Sequence, residues 1–290
     1  MQPQMENKSN TAEKALPIGV FDSGVGGLSV LRAIRQRLPA QPVIYLADQA
    51  HVPYGSRTLD EVRSFSKRIT QFLLDRGARL IVVACNTASA AALHELRAEF
   101  SDVPFVGMEP AVKPAAETTR TGIVGVIATP ATFQGQLYAS VVERFANGVT
   151  ILQDTCPGLV TAIENGELDT PGTRAILERA LNPMLEQHID TVVLGCTHFP
   201  FVIPLIQQIT GPEVRVIDPA PAVARQVERL LENPGGTRSD GTPGAVKYYT
   251  TAVREPFDRL LPLLTGSTGQ VQSLRWDAGK LRFRSSEGFF

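Results

Sequence analysis

Ile81-Val82-Val83-Ala84-Cys85-Asn86-Thr87-Ala88 decides how this chain reads: an apolar run ends abruptly in a thiol, an amide and a hydroxyl. Short runs rich in valine and isoleucine, apolar without alternation, mark strands buried on both faces of a parallel sheet. The same grammar returns at Thr191-Val192-Val193-Leu194-Gly195-Cys196-Thr197-His198. Each cysteine is therefore expected at the carboxyl end of a strand, the edge where open α/β sheets hold their ligands.

Outward from these two strands, apolar runs alternate with amphipathic stretches from Pro17 onward, the βαβ rhythm of a parallel sheet with helices on its faces. Ile18-Gly19-Val20-Phe21 leads through Asp22-Ser23-Gly24-Val25-Gly26-Gly27 into a helix over 28–38. A strand over 43–46 passes Asp48 to Pro53-Tyr54-Gly55, and helical spacing of Val62, Phe65, Ile69, Phe72 and Leu73 predicts a helix over 59–75. After the Cys85 strand come a helix over 88–100, a strand over 103–106 and a short helix opened by Glu109-Pro110. The series then restarts. Strands are expected over 122–127 and 149–152, with one helix to residue 145 between them. Cys156-Pro157-Gly158 opens a helix holding Glu164, and another helix spans 171–187. The Cys196 strand, a helix over 200–209, a strand over 214–217 and a helix over 219–231 follow. Residues 232–244, rich in Gly, Pro, Ser and Thr, read as a flexible loop. The tail carries a strand over 246–250, a helix over 256–264 and a strand near 271–274.

A strand-loop-helix unit followed by a strand ending in cysteine thus occurs once on each side of about residue 108. The expected fold is α/β: two similar parallel-sheet halves, each bringing one cysteine to a shared cleft.

Lys and Arg number 28 against 29 Asp and Glu, a net charge of −1, which leaves no basic footprint for nucleic acid. No run reaches the roughly 18 apolar residues of a membrane span. Residues 1–16 are polar and mixed in charge, without the apolar core of a secretory signal, and read as a flexible extension of a cytoplasmic protein. Cys85, Cys156 and Cys196 form an odd set, for which reduced thiols are expected in that compartment.

A cysteine between a strand and a helix lies near free backbone N–H groups and the positive end of the helix dipole, which lowers a thiol from roughly 8.5 towards neutrality. The plain alternative is a small buried hydrophobe. Matching flanks in matching units favour the reactive reading for Cys85 and Cys196, whereas Cys156 lacks that context and reads as a packed thiol. Asp22-Ser23-Gly24 places a carboxylate and a hydroxyl at the ligand edge, beside glycines that let the backbone approach an anion; a helix cap in a tight turn is the structural alternative. Ser29 stands where a dinucleotide fingerprint needs its third glycine. His198 can exchange a proton near Cys196. Cys-x-His also suggests a metal pair, but no Cys-x-x-Cys or His-x-x-x-His completes a ligand set, so no metal is expected. His51, His94 and His188 read as surface or packing residues.

Two thiols in one cleft suit inversion of a carbon stereocentre: a base on one face removes a proton while an acid on the other returns one. A thiol hydrolase would need only Cys196 with His198 beside it. A non-catalytic amino-acid-binding protein is the third reading.

The stretches 19–28, Pro53-Tyr54-Gly55, 83–88 and 194–200, in that order, resemble the glutamate racemases of the aspartate/glutamate racemase superfamily over about residues 17–231. The resemblance implies cofactor-independent interconversion of L- and D-glutamate, supplying D-glutamate for peptidoglycan, with aspartate or hydantoin racemisation as the nearest alternative. It implies a second domain (109–217) inserted into a first (17–108 with 218–290), pseudo-twofold symmetry between them, and members that commonly form dimers. Cys85 and Cys196 would be the proton donor and acceptor, assisted by Asp22 and His198 respectively. Ser23, Tyr54, Gly55, Asn86, Thr87 and Thr197 would bind the substrate's carboxylates and ammonium, with Asp22 and His198 also bordering it. Glu164 would be the acidic partner near the second cysteine, with Glu167 as the alternative. The chain departs from the family at Gly135, where a serine is common, and at Thr161, where a proline is frequent.

Overall fold

Buried runs at β1 (Ile18–Asp22), β2 (Val43–Ala47) and β3 (Ile81–Val83) start a parallel sheet in the computed structural model, which describes residues 16–231 and 243–284. Between them lie α1 (Leu28–Arg37), a 3-10 turn (Tyr54–Ser56) and α2 (Leu59–Leu74). Next come α3 (Asn86–Glu99), β4 (Phe105–Val106) and α4 (Val112–Thr118). The second series is β5 (Ile123–Ala128), α5 (Pro130–Gln134), α6 (Gln136–Phe145), β6 (Thr150–Asp154), α7 (Leu159–Glu164), α8 (Pro171–Leu185), β7 (Thr191–Gly195), α9 (Ile203–Thr210) and β8 (Arg215–Ile217). The chain closes with α10 (Ala220–Leu231), β9 (Val246–Thr250), α11 (Glu255–Thr265), β10 (Val271–Asp277) and β11 (Lys280–Phe283). Most of the extension and loop expected at 1–16 and 232–244 lies outside the described residues. No described helix is long and apolar enough to cross a membrane.

Local chemistry sets the helix starts. Thr58 and Glu61 form a reciprocal capping box at α2, each side chain bonding the other's backbone N–H, at 3.3 and 3.0 Å. Cys85 caps α3: its sulfur accepts the Ala88 N–H at 3.4 Å, so the helix begins two residues before the expected Ala88. The single helix expected to run to residue 145 is broken at Gly135, where an added Cβ would lie 2.7 Å from the Ala90 Cβ on α3. That close approach leaves no room for a side chain at position 135.

Two sheets result, with strand orders β11-β10-β9-β2-β1-β3-β4 and β6-β5-β7-β8. The order β2-β1-β3-β4 recurs as β6-β5-β7-β8, every pair parallel and every register continuous. β1 therefore corresponds to β5, and β3 to β7. In both sheets chain order reverses beside the first strand, the switch point at which ligands bind. Cys85 follows β3 and Cys196 follows β7. Val20, Phe21, Val82, Val83, Val192 and Val193 are all 0% exposed, each contributing about 1.5–3 kcal/mol on burial.

The halves are unequal, because the first sheet gains β9, β10 and β11 when the chain returns to it. The sequence reading places no strand after residue 274, yet β11 pairs antiparallel with β10 through a tight turn at Ala278-Gly279, both at positive φ. Asn-Gly is the usual signal for such a turn, and its absence hid this half-exposed edge strand. Ahead of β7, buried Asp190 accepts the backbone N–H groups of Arg120 and Thr121 and the hydroxyls of Thr119 and Thr191, pinning the segment that enters β5.

Candidate active site

A narrow cleft lies between the carboxyl ends of the two sheets. The first sheet lines it with Ser23, Pro53, Tyr54, Gly55, Cys85, Asn86 and Thr87, and the second with Thr129, Val160, Cys196, Thr197 and His198. Cys85 is 4% exposed and Cys196 5%. Residues 175 positions apart along the chain meet here, as when Thr197 Oγ1 comes within 3.5 Å of Asp22 Oδ1.

On the first side, Cys85 Sγ lies 3.9 Å from Ser23 Oγ. Asp22 ends β1 fully buried, with Oδ2 accepting the N–H groups of Gly27 at 2.8 Å and Gly24 at 3.3 Å. Burial pushes the Asp22 carboxyl above its ordinary range, against the pull of nearby His198 and the Gly27 N–H. Burial also pushes the Cys85 thiol well up, and the Asp22 charge adds to it. This overturns the expectation that the strand-to-helix position lowers the thiol at Cys85. The helix start supplies the Ala88 N–H, which acts in the expected direction, but closing the cleft removes the water that would solvate a thiolate.

The second side is a chain of contacts. Cys196 Sγ lies 3.7 Å from His198 Nδ1, and His198 Nε2 lies 2.7 Å from Glu164 Oε1. Glu164 Oε1 also accepts the Val25 N–H at 2.7 Å, and Oε2 accepts Gln49 Nε2 at 3.0 Å. Burial alone would lower His198, but its bonds to Cys196 and Glu164 outweigh burial and hold it well above the ordinary imidazole value. Burial would raise Glu164; the His198 contact, with Val25 and Gln49, brings it below the usual carboxylate range instead. Both shifts describe one imidazolium–carboxylate pair, with a charged N–H directed at the Cys196 sulfur. Glu164 therefore occupies the place left open between Glu164 and Glu167; Glu167 is exposed, its N–H bonded to the Ala162 carbonyl.

Asn86 is buried with neither amide atom partnered within the protein. The Thr87, Thr129 and Thr132 hydroxyls form a chain of 2.9 Å contacts across the cleft. Tyr54 borders the cavity, yet its hydroxyl donates to Asp48 Oδ2 at 2.6 Å. Gly55 lies so close to the opposite wall that a Cβ would be 2.9 Å from the Thr129 Cβ.

The sequence reading gives Asp48 and Gln49 no place in the site and leaves Thr129 out of the substrate-binding set. Asp48 is a buried hub that accepts from Tyr54, Thr251 and Trp276 and contacts His51, which stacks on Phe65. A carboxylate closing β2 at the ligand edge was a visible signal, by the rule that singled out Asp22. Thr129 had one too, since it closes β5, the counterpart of β1. Cys156 packs in the core and does not line the cavity. Among the described residues no cluster of three or more His, Cys, Asp and Glu is placed to hold a metal.

The matching strand orders place one thiol after the third strand of each sheet, both at one cleft. The sequence profile of the Asp/Glu/Hydantoin racemase family matches residues 18–227, and the chain belongs to that family. More particularly, it is 51% identical over 263 residues to the glutamate racemase of Pseudomonas paraeruginosa, covering 91% of this chain and 99% of that one. The crystal structure of Escherichia coli glutamate racemase with L-glutamate and the activator UDP-MurNAc-ala superposes with a TM-score of 0.79 at 34% identity, covering 93% of this chain and all of that one. That of the Francisella tularensis glutamate racemase with D-glutamate gives 0.79 at 27% identity, covering 91% and 99%.

Proposed function

We propose that this protein interconverts L- and D-glutamate by proton transfer at Cα between Cys85 and Cys196, without a cofactor, and so supplies D-glutamate for peptidoglycan. The observation that carries the reading is the pair of buried thiols, one from each sheet, bordering one cavity with the unpartnered Asn86 amide between the walls. A buried amide lacking both partners costs free energy until a ligand supplies an acceptor and a donor. An amino acid offers a carboxylate and an ammonium.

The two thiols differ in their surroundings. Burial and Asp22 favour the neutral Cys85 thiol, while His198 presents a positive donor to Cys196. The Cys196 thiolate takes the Cα proton from one face, leaving the electron pair on the substrate. The Cys85 thiol returns a proton to the other face and becomes the thiolate that begins the reverse reaction. Asp22 and His198 stabilise the successive charge states. Ser23, Gly55, Asn86, Thr87 and Thr197 hold the substrate's carboxylates and ammonium, with Tyr54, Asp22 and His198 bordering it. The division into 17–108 with 218–290 and 109–217 is supported by the two sheets, by α10 packing on α1, and by α4 packing on β5 and β7. Relatives that bind each enantiomer favour glutamate over aspartate or a hydantoin.

Incubation with either enantiomer in D₂O is expected to invert it with deuterium at Cα, and Cys85→Ser and Cys196→Ser are each expected to abolish inversion. No exchange by the folded wild type sinks the proposal. A Cys85→Ser variant that keeps a hydrolytic activity supports the thiol hydrolase instead, and tight glutamate binding without inversion supports an amino-acid sensor.

A further inference from the structure

Gln49 follows Asp48 at the end of β2, and its side chain crosses from the first sheet to α7 of the second. Its Nε2 donates to Glu164 Oε2 at 3.0 Å, and its Oε1 accepts from Thr250 Oγ1 at 2.8 Å. The Thr250 oxygen already accepts the Ala252 N–H at 3.2 Å, so its hydroxyl proton is free to face Gln49. This fixes the amide with its NH₂ towards the carboxylate.

The other Glu164 oxygen is held by Val25 N–H and His198. Among the described residues, Gln49 is the partner of Oε2. Without it the carboxylate keeps one anchored oxygen and is free to turn away from the plane that serves the imidazole. No acid, base or nucleophile at position 49 is involved, so its part is played through Glu164.

We propose that Gln49 is a positioning residue for proton transfer at Cys196, holding the Glu164 carboxylate ionised and aligned on His198. The inference rests on the two-cysteine reading and adds a residue to it. Three of the donors and acceptors in the chain Cys196–His198–Glu164–Gln49–Thr250 sit on the second sheet's elements and two on the first's, so the path is complete where the sheets meet. The titratable groups facing Glu164 are His198, with Cys196 beyond it, from the β7 end, Asp22 from β1 and Tyr45 from β2. Asp22 and Tyr45 remain in place when Gln49 is changed, so a change in Glu164 titration reports on Gln49.

The test is Gln49→Leu, which keeps the bulk and removes the donor, with Thr250→Val as a second variant that only frees the amide. A hydrogen bond to a charged group is strong enough to move a titration by about one unit. In Gln49→Leu the acid limb of kcat/KM for glutamate is expected to move to higher pH by about one unit, with KM little changed; Thr250→Val should move it the same way by less. Independently of activity, the ¹³Cδ resonance of Glu164, assigned with Glu164→Gln, should titrate at higher pH in Gln49→Leu. An unmoved limb together with an unmoved resonance overturns the proposal, as does a loss of kcat/KM by the same factor at every pH, the mark of a packing role. A wild type that fails to invert glutamate would sink the two-cysteine reading, while the resonance would still decide whether Gln49 holds Glu164.

Discussion

Gly26→Ala probes the second proton path most directly. A Cβ at Gly26 would stand 2.3 Å from His198 Nδ1, 2.6 Å from Cε1 and 2.7 Å from Thr197 Oγ1. Gly26 does not adopt a left-handed backbone, so alanine enters without conformational strain and the methyl group is the whole perturbation. Ordinary contact begins near 3.4 Å, and the imidazole has to retreat by about 1 Å. It cannot slide freely, because Nε2 is tied to Glu164 at 2.7 Å and the ring is 2% exposed. The edge driven back is the one facing Cys196 Sγ. A misplacement of about 1 Å in a catalytic constellation costs on the order of 10²-fold, or about 2.7 kcal/mol in the barrier. The expected result, read by circular dichroism of glutamate interconversion in both directions, is a fall in kcat/KM of about 100-fold. Thermal unfolding should change by only a few degrees, since alanine also restricts the unfolded chain by about 0.4–1 kcal/mol. Gly172→Ala is the control: it lies exposed in the first turn of α8, with nothing nearer to a Cβ than Thr170 Oγ1 at 3.8 Å, and should leave activity unchanged. A Gly26→Ala enzyme within about threefold of wild type would refute the claim that His198 must sit where it does.

Tyr54→Phe removes a hydroxyl already given to Asp48, so stability should fall by about 1–2 kcal/mol while KM rises less than about threefold; a large rise in KM would show the phenol reaching substrate. Asp190→Ala strips four donors of their acceptor and should cost about 2–3 kcal/mol in denaturant unfolding with kcat nearly unchanged, and unchanged stability would refute the pinning role. For His198, the folded value is raised above the ordinary 6.5, so its contribution to stability is full below that pH and is lost as pH rises through the folded value. Glu164 is lowered from 4.5, so its share is present above that pH and lost as pH falls through its folded value. The stability gap between wild type and His198→Asn should thus be widest between these limits and shrink at alkaline pH; a gap constant with pH would sink the imidazolium assignment.

Much of the frame is legible in the sequence. Valine-rich runs of strand length, proline in the first turns of α5 and α8 and glycines after helix ends are local signals, and the strands carrying Asp22, Cys85 and Cys196 stand where they were expected. β11 escaped notice because its turn lacks the usual residues and its side chains are half exposed. The break at Gly135 escaped too, since its cause is Ala90 on another helix, invisible to any local pattern.

The sequence by itself determined the strand ends, and with them the placing of a thiol, a carboxylate and hydroxyls at the ligand edge of two matching sheets, because a buried parallel strand writes its boundaries in its own residues. Tertiary structure alone decided how those groups are charged and partnered. The Glu164 carboxylate meets Val25 from 139 residues away and Gln49 from 115, and the closing of one sheet on the other raises the Cys85 thiol and pairs His198 with Glu164. Protonation depends on burial and on neighbours in space, and neither is a property of a stretch of chain.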